Sequence, residues 1–187
     1  MPNMTGRTLV LLVALFAALA GCSGDGTSHG TAMGDIEVRL TDAPIDISTV
    51  ESVNVTLTGV IVYPGDTSDP FDDMNEPPPI HLLTYPATFD LLTLTGGVTE
   101  LLASGEVPVG PYSRIRLEVS DATLVYKDGT SAPLKLEPNK VDVPIRFDVV
   151  DAGMNTVTLD FDAAASVKVN ETASDKLILR PVVTPIY

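Results

Sequence analysis

From Asp35 onward, apolar and polar residues alternate with a period of two, the pattern of strands that bury one face. Ile36, Val38 and Leu40 share a face opposite Glu37 and Arg39. Val53, Val55 and Leu57 alternate with Asn54, Thr56 and Thr58. After Gly59 the apolar phase flips to Val60 and Val62, and a one-residue slip at a glycine predicts a β-bulge. Ile80–Leu83 reads as a short strand, whereas Phe89–Leu94 fits either a strand or one helical turn. Ile115, Leu117 and Val119 alternate with Arg114, Arg116 and Glu118, and the phase shifts again after Ser120-Asp121 to Ala122, Leu124 and Tyr126. Asp128-Gly129 marks a hairpin turn, because the glycine supplies positive φ. Val141, Val143, Ile145, Phe147 and Val149 form a further strand, and Pro144 within it predicts an edge position. Val157, Leu159 and Phe161 face inward, with Thr158, Asp160 and Asp162 outward. Nothing longer than a turn has helical period. Short alternating strands with frequent turns predict an all-β, antiparallel two-sheet β-sandwich, Ig-like or transthyretin-like, of about eight to ten strands.

The beginning of the chain follows a different pattern. One basic residue, Arg7, precedes an unbroken apolar run from Leu9 to Ala20. That run is shorter than the ~20 residues a spanning helix needs, and it fits the apolar core of a secretory signal. It ends in Leu19-Ala20-Gly21-Cys22, which resembles the lipobox of bacterial lipoproteins. The resemblance implies cleavage between Gly21 and Cys22 and acylation of Cys22. Because Cys22 is the only cysteine, no intramolecular disulfide can form. Residues 1–21 are therefore expected to be a lipoprotein signal peptide. Residues 22–33, which include His29, form a Gly-rich tether reaching about 20 Å, and residues 34–187 form the β-sandwich. Ser23 after the cysteine resembles the pattern sent to the outer membrane in a host with two membranes. The expected location is the cell envelope, outside the cytoplasm.

The formal charge is −14, and loss of Arg7 with the signal makes it more negative. Such a surface repels nucleic acid and favours a soluble monomer. The absence of Trp argues against an aromatic platform for sugars.

Four ordered segments carry a further likeness: VRLTDAPID from Val38, GPYSRIRLEVSDATLVYKDG from Gly110, TLDFDAAASVKV from Thr158 and LRPVVTPI from Leu179. Together they resemble a prokaryotic lipoprotein domain family catalogued as domain of unknown function 4382. The resemblance implies a lipid-anchored β-sandwich with no assigned activity, and it carries over no catalytic residues.

Candidate chemistry is sparse. There is no Gly-x-Ser-x-Gly, and His81 is the only histidine within the sandwich, beside apolar Leu82 and Leu83, where a structural role is expected. Pro64–Pro79 is a turn-rich acidic loop in which Asp69, Asp72, Asp73, Asn75 and Glu76 crowd together as a candidate binding segment. Calcium is a candidate cofactor, since hard cations need clustered oxygen ligands. Besides the loop, Asp160 and Asp162, with Asp42 and Asp46 as neighbours, form a second candidate set. The same carboxylate pair is the basis for a glycoside hydrolase reading. The reading favoured on sequence is a non-catalytic surface module that binds a protein or glycan through its loops. A structural envelope or matrix component that assembles through sheet edges is the alternative.

Overall fold

The structure is a computed structural model that describes residues 31–42, 49–65, 77–151, 153–170 and 176–186. The candidate residues Gly21, Cys22, Asp46, Asp69, Asp72, Asp73, Asn75 and Glu76, together with His29, lie outside the described residues. Thirteen strand segments are described: β1 (Met33–Thr41), β2 (Val50–Pro64), β3 (Ile80–Leu83), β4 (Ala87–Asp90), β5 (Glu100–Pro108), β6 (Gly110–Tyr126), β7 (Ser131–Pro133), β8 (Lys135–Leu136), β9 (Lys140–Val149), β10 (Met154–Phe161), β11 (Val167–Asn170), β12 (Lys176–Leu179) and β13 (Val183–Ile186). Two single turns interrupt them, a 3₁₀ turn at Leu91–Leu94 and a helical turn, α1, at Ala163–Ser166.

The larger sheet is built on the long pair β2–β6. β3 and β4 share the outer edge of β2, and β9 and β7 share the outer edge of β6. The second sheet runs β13-β10-β1-β5, and a small third sheet runs β11-β12-β8. The inward faces make one core that joins Ile36, Val38 and Leu40 of β1 to Val55 of β2, Leu117 of β6 and Leu159 of β10. Leu179 of the small sheet belongs to the same core. Each buried aliphatic side chain of this size contributes roughly 1.5–3 kcal/mol relative to exposure.

The all-β, mainly antiparallel class is as the alternation predicts. The pairing differs in two places, because β1 and β10 run parallel, as do β12 and β8. The chain leaves β9 in the larger sheet and crosses to lie beside β1 in the other. A change of sheet supplies the crossover that a parallel pair requires. The strands also outnumber the expected eight to ten, because segments as short as β7 and β8 count as strands of their own.

Local predictions resolve well. The β2–β6 register shifts between Leu57 and Gly59, where the phase flips. A Cβ at Gly59 would lie 2.9 Å from a Glu118 carboxylate oxygen, so Glu118 packs over the glycine at the slip. Gly129 has φ +83°, as its hairpin turn demands. Among the described residues β9 pairs with β6 alone, so Pro144 is on an edge, beside the register shift between Tyr112 and Arg114. Phe89–Leu94 turns out to be both alternatives in succession, with Phe89 buried in β4 and Leu91 opening the 3₁₀ turn.

Candidate functional site

Two ends of the sandwich carry the residues of interest. At the far end, β1 and β10 finish side by side, with Thr41 paired to Asp160. Asp42, 3 % exposed, accepts the Ala163 backbone N–H at 2.9 Å. Asp162 is not on the strand face, since β10 stops at Phe161. It is the N-cap of α1, where its Oδ1 accepts the Ala165 N–H at 2.7 Å. A cap of this kind satisfies a backbone donor that the first helical turn leaves orphaned. The Ser166 hydroxyl then donates to the Asp162 carbonyl at 2.5 Å and accepts the Val182 N–H at 2.8 Å. Asp42, Asp160 and Asp162 thus lie at the end where β1 and β10 finish, but Asp160 and Asp162 do not share a strand face as the alternation predicts. The structure uses Asp42 and Asp162 to hold backbone amides. Among the described residues no group of three His, Cys, Asp or Glu side chains is arranged to hold a metal ion.

His81, for which a structural role is expected, is exposed on β3, opposite Ile61. The alternation also misleads at Arg114. It reads as an outward residue, yet it is 2 % exposed. Its guanidinium lies 3.8 Å from the centroid of the Tyr63 ring, its cross-strand partner. Arg116 makes a two-pronged pair with Asp142, Nε–Oδ1 at 2.7 Å and Nη2–Oδ2 at 3.0 Å. A guanidinium buries against an aromatic face more readily than an ammonium does, because it is weakly hydrated and planar.

At the opposite end, where the described chain enters at Thr31, an apolar groove opens. This groove, of about 490 Å³, is lined by Pro64, Pro77, Pro78, Pro108, Pro111 and Tyr112, with Ile80 and Val109 beside them. Its walls come from separate elements that hydrogen bonds pull together. The Gly65 N–H donates to the Pro111 carbonyl at 2.9 Å, and the Val109 N–H to the Ala32 carbonyl at 2.8 Å. The Tyr112 hydroxyl donates to the Pro108 carbonyl at 2.8 Å, while its ring stacks on Phe147 at 5.2 Å. Burial pushes the Tyr112 phenol up to about 12. A neighbouring cleft between Pro111 and Phe147 is flanked by Arg146 and Asp148.

None of the described residues lining the larger groove is ionisable at neutral pH, and proline has no N–H to donate. The groove is therefore suited to apolar contact rather than to proton transfer or sugar hydroxyls. Both flanks of the acidic segment, Gly65 and Pro77, line it, as does Thr31. The sequence carries no local signal for this site. Its prolines are scattered over five positions, and only strand pairing assembles them.

No curated protein matches the chain, nor does any solved structure. Residues 33–181 match the family described as Domain of unknown function (DUF4382), so the greater part of the chain is covered and the protein belongs to that family.

Proposed function

We propose that this protein is a lipid-anchored lipoprotein of the cell envelope, tethered outside the cytoplasm through Cys22, whose β-sandwich acts as a non-catalytic binding module. The partner is a protein that lays an extended apolar segment into the groove between Pro64, Pro108 and Tyr112. The acidic segment 66–76, whose flanks Gly65 and Pro77 line the groove, adds charge selectivity.

The observation that carries this reading is the groove itself. Ligand sites are concave, mostly apolar and built on a rigid frame, and this one stands on the ends of β2 and β6 with both flanks of the acidic segment in its wall. The uncharged lining and the already engaged Tyr112 hydroxyl favour a protein segment over a glycan. Against the hydrolase alternative stands Asp162, whose carboxylate caps α1 instead of facing a cleft. Against assembly through sheet edges stand Pro144 in β9 and Pro185 in β13, since proline on an edge blocks strand addition.

The test is photo-crosslinking from position 80 of the full chain on intact cells. A discrete protein adduct that disappears in Val109→Arg supports the reading. An identical adduct from a photo-probe at Lys127, or no adduct from position 80, contradicts it.

A further inference from the structure

Around the groove's mouth lies a second feature, at the end of the sandwich where β1 and β10 begin. Met33, Val150 and Met154 are large apolar side chains left 44 %, 49 % and 54 % exposed. They are neighbours. Met154 pairs with Asp35, two residues from Met33 on the same face of β1. The Asn155 side chain accepts the Val150 N–H at 3.1 Å and donates to the carbonyls of Val150 and Asp35 at 3.0 and 2.8 Å. Asn155 thus fixes the Val150 segment beside β1. A side chain at Gly34 would place its Cβ 2.4 Å from the Val150 carbonyl, so glycine is what lets the two segments close.

A fixed cluster of exposed apolar side chains marks a contact surface. Its place in the chain says with what. The patch surrounds the point where residues 1–30 join the sandwich. Even fully extended, the nine residue steps from Cys22 to Thr31 span no more than about 32 Å. Under the anchoring proposed above, on which this inference rests, the patch is held within that distance of a bilayer. Tethering of this kind supplies a high effective concentration, so a weak surface suffices. A dissolved partner has no such advantage.

We infer that Met33, Val150 and Met154 form a membrane-contact surface that seats this end of the sandwich in the interfacial layer of the bilayer. The long axis of β6 then stands away from the membrane. Asp35 and Asp151, which border the patch, favour zwitterionic over anionic headgroups.

The native chain has no Trp, so a single introduced indole reports alone. The full acylated chain carrying Met154→Trp is reconstituted into phosphatidylcholine vesicles containing lipid spin-labelled near the headgroup. Lys127→Trp, at the other end of β6, is the control. The inference expects the indole of Met154→Trp to lose most of its emission and to shift to the blue, with that of Lys127→Trp unchanged. A vesicle-bound chain in which Met154→Trp stays bright, or in which both reporters are quenched alike, overturns the docking surface while leaving the anchor intact. A chain that does not sediment with the vesicles overturns both. Shielding of Met154→Trp in native membranes but not in vesicles assigns the patch to a protein and overturns the lipid assignment.

Discussion

The two ends of this sandwich treat their side chains in opposite ways. At the far end, polar groups are turned inward and consumed. Asp42 and Asp162 hold backbone amides, and the Thr41 hydroxyl lies 3.0 and 2.8 Å from the carbonyls of Leu94 and Val98. At the entry end, apolar groups are turned outward and left open, in Met33, Val150, Met154 and the proline-lined groove. Carboxylates clustered in sequence look like chemistry, yet here they close the fold. The open surface consists of residues that look inert. What distinguishes a site is unfinished contact rather than residue type.

The contrast breaks most visibly at Asp42. Asp42→Ala strands the buried Ala163 N–H and costs about 1.5–3 kcal/mol, the range for a hydrogen bond to a charged acceptor. Chemical denaturation checks this, and a loss below a few tenths would mean that the far end is not closed by Asp42. Next is Tyr112, on the floor of the entry end. Its phenol is held at about 12 when folded, against 10.0 ordinarily. The unfolded chain therefore gives up the proton first. Stability is unaffected below pH 10 and falls between pH 10 and 12, by roughly 2–3 kcal/mol at about 1.4 kcal/mol per unit. Tyr112→Phe removes that slope, and an unchanged slope would place the phenol in water. A smaller effect belongs to Asp162→Ala, which removes a helix cap and costs about 1 kcal/mol, read as a lower denaturation midpoint. Smallest is Met154→Ser at the open end. It changes stability by no more than about 0.5 kcal/mol, while weakening vesicle contact. A large loss there would make Met154 a structural residue.

The sequence made the strands legible because each has one buried face, and period two survives in Ile115, Leu117 and Val119 without reference to neighbours. The slip at Gly59 and the edge at Pro144 were legible for the same local reason. Parallel pairing of β1 with β10 was not, because it depends on a crossover between sheets. Arg114 escaped because its burial depends on Tyr63, a residue remote in sequence. The cap at Asp162 carried a signal, an Asp directly before Ala-Ala-Ala, that a strand reading of the segment passed over. The groove had none, since Pro64, Pro77 and Pro108 converge only in three dimensions.

All of this gives the entry end its meaning only if that end is fastened to a membrane. Mass spectrometry of the protein purified from its native membranes measures this directly. The account predicts an N-terminal peptide that begins at Cys22 and carries fatty-acyl mass. A peptide that retains Leu9–Ala20, or a Cys22 with a bare thiol, would contradict it.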